Sequence, residues 1–235
     1  MDTLAEPNIL ALDSASLTGS VALCSGTTLV AESLLNVRST HSERLLQQID
    51  LLLSEAGWTL GDLDLLAVTT GPGSFTGLRI GIATVKGLAQ VLGKPVVGVS
   101  SLQMVALNAP AVSVPICAFL DARKKEVYTQ QFEASPGGPV PLDEAKVLPP
   151  ADVLRSLTDR TLLIGDGVLQ YRQLIETTAG DNILLPWDTA HQLRSSQAAW
   201  LAHRRWLNQD LSTAAELLPT YIRPSDAELG KMKKV

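Results

Sequence analysis

The chain has 235 residues, 46% of them hydrophobic but only 4% aromatic, and carries a net charge of −5. This length accommodates one large core or two modest ones, packed from aliphatic side chains, in one or two domains. The acidic balance argues against nucleic-acid binding through an overall basic surface, while leaving room for a local basic patch. The N-terminal MDTLAEPN lacks the basic start and apolar run of a secretory signal, and no apolar segment is long enough to cross a bilayer, so a cytoplasmic location with no membrane contact is expected. Cys24 and Cys117 lie in apolar, strand-like stretches with no Cys-x-x-Cys and no histidine nearby, the pattern of buried free thiols rather than of a metal or redox centre.

In chain order, NILALD alternates and ends on Asp13, SVALC follows a turn around Gly19, and TTLVAESLL follows Ser25 and Gly26; these predict three strands in a meander. Thr40 and Glu43 have capping-box spacing, and Leu45, Leu46, Ile49, Leu52, Leu53 and Ala56 recur at helical intervals until Gly57, which predicts the first helix. The strand LLAVT then leads into GPGSFTGLRIGIATVKGLAQVLG, residues 71 to 93, a glycine-rich turn opening a helix that Ser74 or Thr76 can cap. On a helical wheel Arg79, Lys86 and Gln90 form one narrow polar stripe and apolar residues take most of the remaining circumference, so this helix needs covering on more than one side. Gly77, Gly81 and Thr84 fall on one face, where small residues let a backbone come close, either that of the helix's own sheet or that of a partner. The glycine turn can present N–H groups to an anion, but it has neither the lysine of a P-loop nor the spacing of a dinucleotide fingerprint. PVVGVS and SLQMVALNA, started by Ser100 or Ser101, add a strand and a helix.

From residue 113 the plan restarts. SVPICAFLD ends on Asp121, the turn ARKK leads to EVYTQQFE, and a Pro- and Gly-rich loop over 135 to 141 precedes a short strand EAKVL. A helix ADVLRSL, the strand and turn TLLIGDG, a helix VLQYRQLIETT, a strand NILLP and a last helix near 195 to 209 complete the series. The terminal KMKKV is basic without apolar periodicity and is expected to be disordered. Two successive βββαβα units, each opening on a strand that ends in aspartate, predict an internally duplicated α/β fold with lobes at 1–110 and 111–235.

Two such units resemble the actin, sugar-kinase and Hsp70 ATPase superfamily, whose members hold a nucleotide between the lobes. That resemblance makes Asp13, Gly71, Gly73, Asp121 and Arg123 candidate nucleotide contacts, although an aspartate after a strand is also an ordinary turn residue. The phrases HSERLL at 41 to 46, GPGSFTGLRIG at 71 to 81, SSLQ at 100 to 103, DARKKEVY at 121 to 128 and PTYIRPSDAE at 219 to 228 together resemble the TsaB (YeaZ-type) family of bacterial tRNA threonylcarbamoyladenosine synthesis. The resemblance spans both halves and the tail. It implies a non-catalytic partner of the catalytic subunit TsaD, acting with the ATPase TsaE on the adenosine beside the anticodon of tRNAs that read codons starting with A. It implies tRNA contact only through the complex, and a homodimer when the chain is alone. Pairing in the family uses two helices of the first lobe, which places His41, Arg44, Leu45, Gly77, Ile80, Gly81, Thr84 and Leu88 at the expected partner interface. No cofactor of its own is expected, with ATP or ADP entering at the complex interface. Asp121, Ala122 and Arg123, together with Tyr221 and Arg223 of the tail, are candidates for the place where nucleotide or TsaE meets this subunit, and Tyr221 can equally anchor the tail.

The residues themselves do not assemble an enzyme. The catalytic paralogue binds metal through two histidines on successive turns of its first helix, and here His41 is followed by Leu45 where the second would stand. His191 and His203 have no carboxylate or cysteine at ligand spacing and are expected at the surface or at caps. Ser14, Ser42 and Ser74 lack a G-x-S-x-G elbow, so nothing supports hydrolysis. The alternative is an autonomous nucleotide-binding ATPase or kinase-like enzyme, for which IGDGV at 164 to 168 sits where superfamily relatives contact adenosine.

Overall fold

Strands β1 (Asn8–Asp13), β2 (Thr18–Ser25) and β3 (Thr28–Asn36) form the expected meander in a computed structural model that describes residues 6–36, 41–178 and 180–223. Helix α1 (His41–Ala56), β4 (Leu65–Gly71), α2 (Phe75–Leu92), β5 (Val96–Ser100) and α3 (Ser101–Ala106) follow. The sheet order is β3-β2-β1-β4-β5, with β1 antiparallel to β2 and parallel to β4. Ser74 caps α2 by accepting from Gly77 N at 3.3 Å, and Ser100 caps α3 by accepting from Gln103 N at 3.4 Å. Gly93 ends α2 with φ of 65°, a left-handed conformation that glycine enters without steric cost. The capping residue expected for α1, Thr40, lies outside the described residues, as do the side chain of His41 and the terminal KMKKV.

The second half repeats this plan. Strands β6 (Ile116–Asp121) and β7 (Val127–Glu133) pair antiparallel, and β10 (Thr161–Ile164) runs parallel to β6 and to β11 (Ile183–Leu184). The third strand is split into β8 (Val140–Pro141) and β9 (Lys146–Leu148), both on β7. Part of the segment expected as pure loop is therefore strand. Between the two pieces, Asp143 accepts from Gln131 N at 2.8 Å and so occupies the ladder position a continuous strand would fill. Helix α4 (Pro150–Ser156) precedes β10. The single helix expected over VLQYRQLIETT is two, α5 (Asp166–Gln170) and α6 (Arg172–Thr178). The break falls at Tyr171, whose hydroxyl reaches Asp121 Oδ1 at 3.3 Å and whose ring meets Phe119 edge-on at 6.4 Å.

Period-2 alternation sorts β6 between two cores. Ile116, Ala118 and Leu120 face a large core shared with the first sheet, while Cys117 and Phe119 face a smaller one with Val153, Leu154 and Ile175 from α4 and α6. The last helix, α7 (Ser195–Leu207), comes from the second half yet packs on β1, β2, β4 and β5 of the first sheet, and α3 lies against both sheets. Buried Ala198, Ala199 and Ala202 allow α7 to approach closely. The lobes thus share one continuous core. Cys24 and Cys117 are buried free thiols, pushed up to about 11 and about 12 by burial. Among the described residues no helix is long and apolar enough to cross a membrane.

Candidate functional site

The start of α2 meets the turn after β1, and there the chain fills its own cradle. Ser74 N donates to Ala15 O at 2.6 Å and Thr220 N donates to Thr70 O at 2.8 Å. A Cβ on Gly71, whose φ is 128°, would lie 2.5 Å from Thr220 O, and one on Gly73 would lie 2.4 Å from Ala15 O. Glycine at these two positions therefore admits the protein's own backbone at close range. Gly165 and Gly167 tell the same story: a Cβ on either would lie 2.4 Å or 2.7 Å from Phe119 O. The IGDGV turn is pressed against β6.

Asp13 is fully buried. Its Oδ1 accepts from Ala15 N at 3.2 Å, and its Oδ2 has no hydrogen-bond partner. Burial pushes its carboxyl up to about 6, with the Asp166 charge adding to the effect and the nearby Thr69 hydroxyl and the Ala15 N–H opposing it. Asp166 is likewise raised to about 6 by burial, against the stabilising N–H of Asp121, which donates to its Oδ1 at 2.9 Å. Asp13 is thus enclosed by the chain's own residues.

The two histidines expected at the surface are buried. His191 is wholly enclosed and its Nδ1 accepts from Gly165 N at 3.2 Å, so it holds the IGDGV turn and is lowered by burial. His203 is 4% exposed and its Nε2 pairs with Glu6 at 2.7 Å. An imidazole is apolar over most of its body and fills such gaps when one nitrogen finds a partner. Ser14 Oγ donates to Gly77 O at 2.8 Å, a structural bond rather than a nucleophile's arrangement. Among the described residues no group of three or more His, Cys, Asp or Glu could hold a metal.

The tail ties the two lobes together. Tyr221 stacks on Phe75 at 4.8 Å and accepts from Arg79 Nε at 3.1 Å, which explains why part of the polar stripe of α2 is not simply solvated. Arg223 donates to Glu126 Oε2 at 2.6 Å and to Ala122 O at 2.7 Å on the turn after β6. Asp121 and Arg123 lie on the rim of an open pocket of about 560 Å³ on the second lobe.

The remaining candidates lie on α1 and α2, which pack side by side. Gly77 and Gly81 face inward: a Cβ on Gly77 would lie 2.0 Å from Ser14 O, and one on Gly81 2.5 Å from Ser14 Oγ. Leu45 is 3% exposed and belongs to the core. All three pack against the chain's own residues, on the inner faces of the two helices. Arg44 is exposed, and Ile80, Thr84 and Leu88 are half-buried on the outer flank of α2. Sequence reasoning missed the outermost positions: Ala83, Gly87 and Val91 on α2, with Leu46 and Leu51 on α1. Val91 is 85% exposed, Leu46 57% and Leu51 56%. The signal on α2 was available, since on its wheel Ala83, Gly87 and Val91 lie opposite the buried Leu78, Val85 and Ala89. Nothing lies within 4 Å of a Cβ on Gly87, so Gly87→Ala is expected to stabilise the free chain by about 1 kcal/mol through helix propensity, read as a higher urea midpoint at unchanged slope.

Comparison with known proteins places this geometry. A family model described as tRNA N6-adenosine threonylcarbamoyltransferase, TsaD, matches residues 32–145. The tRNA threonylcarbamoyladenosine biosynthesis protein TsaB of Bacillus subtilis is 31% identical over 94% of this chain and 96% of its own length. The chain belongs to the TsaB family. Escherichia coli TsaB is 39% identical over 55% of this chain and 57% of its own. The crystal structure of YeaZ from Pseudomonas aeruginosa superposes with a TM-score of 0.80 at 30% identity, covering 92% of this chain and 99% of that one. The ethanolamine utilization protein EutJ of Carboxydothermus hydrogenoformans, at 9% identity and a TM-score of 0.54, shares the fold alone. With two sheets of matching order, this TsaB-family chain has the actin-like ATPase and sugar-kinase fold.

Proposed function

We propose that the chain acts in tRNA threonylcarbamoyladenosine biosynthesis as a non-catalytic subunit that binds and activates TsaD, in tRNAs reading codons that start with A. The observation that carries this reading is the outer face of α2, where Val91 stands in water on the same side as Ala83 and Gly87, while Leu46 and Leu51 are also exposed on α1. Burying one such leucine or valine is worth about 1.5–3 kcal/mol before the costs of association. The small residues between them let a partner helix approach. Family membership supports the choice of a TsaD subunit as that partner. In this reading TsaE works on the assembled pair, ATP or ADP enters at the complex interface near Asp121 and Arg123, and tRNA is engaged by the assembly. Without TsaD the same face pairs two copies of the chain.

The test is size-exclusion mass and titration of the purified chain with TsaD. Ala83→Arg places a charge and a long side chain at an exposed position, so the lobe is expected to melt normally while affinity for TsaD falls at least a hundredfold, about 2.7 kcal/mol. An Ala83→Arg chain that still pairs at the parental affinity would remove these helices from the interface.

A further inference from the structure

A strap over residues 211–223 follows α7 along the edge of the first sheet and finishes on the second lobe. Val96 N donates to Ser212 O at 2.9 Å and Ser212 N to Val96 O at 3.0 Å, so the strap covers the edge strand β5. Leu217 is buried beside Gly98, and Thr220 N donates to Thr70 O just ahead of α2. Up to this point the strap belongs to the first lobe. Its last residues are held differently. Tyr221, 40% exposed, touches α2 through the ring of Phe75 and through Arg79 Nε, while Arg223, two residues on, holds Ala122 O and Glu126. Two side chains of the tail thus join the first turns of α2 to the turn between β6 and β7.

That turn has a costly backbone. Arg123, Lys124 and Lys125 follow one another with φ of 60°, 53° and 63°. L residues enter the left-handed region singly as a rule, and a run of three persists only where its surroundings impose it. Inside the turn, Arg123 N donates to Asp121 Oδ1 and Glu126 N to Arg123 O, each at 3.0 Å. From outside, Arg223 fixes the carbonyl before the run and the carboxylate after it. The same residues form one wall of the pocket of about 560 Å³ on the second lobe. At the other end of the link, Arg79 lies one turn before Ala83 and two before Gly87, on one flank of α2.

We propose that residues 221–223 are a latch between the lobes. Docked on Phe75 and Arg79, the latch holds the turn between β6 and β7 in its left-handed form; undocked, it lets the turn relax and reshapes that wall of the pocket. A partner seated over Arg79 and Tyr221 adds contacts to the docked state alone, and so tightens the turn from the far side of the strap. That this partner is TsaD rests on the proposed function; the link within the chain does not.

The experiment is hydrogen exchange at the amides of residues 122–126, read by mass spectrometry on the full chain alone and with saturating TsaD. Ala122 N and Glu126 N are bonded within the turn, to Glu126 O and Arg123 O at 3.0 Å each, so their exchange reports its opening. Arg223→Gln should speed that exchange about tenfold, the worth of a hydrogen bond to a charged group. Tyr221→Ala and Arg79→Gln lie outside the turn and should still speed it about fivefold. Tyr221→Phe keeps the stack on Phe75 and loses the bond to Arg79, so its effect should fall between those of the parent and Tyr221→Ala. Lys86→Gln, at the other cation of the α2 stripe, should leave the turn unchanged. TsaD should slow the exchange in the parent and fail to do so in Tyr221→Ala. The inference is overturned if Arg223→Gln alone speeds the exchange, which would make the clamp local to the second lobe, or if no variant does. Pairing with TsaD that leaves the parent's turn exchanging as before would overturn the coupling to the partner. A parent chain that does not pair with TsaD sinks the proposed function, while exchange in the chain alone still decides the latch.

Discussion

Asp13→Asn is expected to make the chain less sensitive to pH, with the gain of variant over parent rising by about 3 kcal/mol between pH 3 and pH 7.5. The cause is the enclosure of Asp13, whose Oδ2 has no partner and whose carboxyl is raised from the ordinary 3.8 to about 6. A group raised on folding binds its proton more tightly in the native state. Its contribution is therefore fully present below about 4 and is lost as pH climbs through about 6, at 1.36 kcal/mol per pH unit of difference. Asparagine is neutral throughout and keeps an oxygen for Ala15 N, so it does not incur the cost of burying charge. Urea melts of parent and variant across that range measure the difference directly. Exposed carboxylates such as Asp62, lowered by the Thr59 N–H, act at lower pH and with the opposite sign, and they cancel in the comparison. A parallel Asp166→Asn series should show a similar rise, because Asp166 is raised to about 6 by its own burial. The double variant should fall short of the sum, since the Asp166 charge is one of the causes that raise Asp13. Equal pH profiles for parent and Asp13→Asn would mean that the cleft opens enough to hydrate Asp13.

How far the sequence could be read depended on whether a signal was local. The βββαβα order, the caps at Ser74 and Ser100 and the buried thiols follow from alternation, turn chemistry and composition, which are properties of short windows. The placement of α7 on the first sheet was not legible, because an amphipathic helix states that it must be covered but not by which sheet. Likewise Tyr171 breaks a continuous helical pattern through a bond to Asp121, far away in sequence. The outer face of α1 and α2 was half legible. The wheel showed that α2 needed two coverings, but it could not tell which covering took the glycines, so the inward Gly77 and Gly81 were read outward and Ala83, Gly87 and Val91 were passed over. In the second lobe, the ARKK motif was visible as a turn, while its run of left-handed residues depends on the distant clamp from Arg223.

Gly77→Ala should be among the most damaging single-methyl changes in the first lobe, lowering stability by about 3 kcal/mol, at the upper end of what overpacking costs. The added carbon would sit 2.0 Å from Ser14 O, and no rotamer can relieve a clash between a Cβ and a backbone oxygen. Retreat is blocked on both sides. Ser74 N is bonded to Ala15 O, Ser14 Oγ holds Gly77 O, and Leu78, Ile82 and Val85 fix the same helix in the core. For a chain of this length the loss should appear as a fall in Tm of about 6–12 °C. Gly81→Ala offers an informative contrast, because its new carbon would meet the Ser14 hydroxyl at 2.5 Å and Val68 Cγ2 at 3.3 Å, both side-chain atoms. Ser14→Ala removes that hydroxyl. In the Ser14→Ala background Gly81→Ala should therefore recover most of its loss, whereas Gly77→Ala should recover none, since the opposing atom is main chain. The cycle also bears on pairing. Gly81→Arg is expected to unfold the lobe and so to say nothing about the proposed TsaD interface, while Ala83→Arg acts on the surface alone. Melting each variant before measuring its affinity separates the two causes, and a folded Gly81→Arg chain that failed to pair would return Gly81 to the partner's side of the helix.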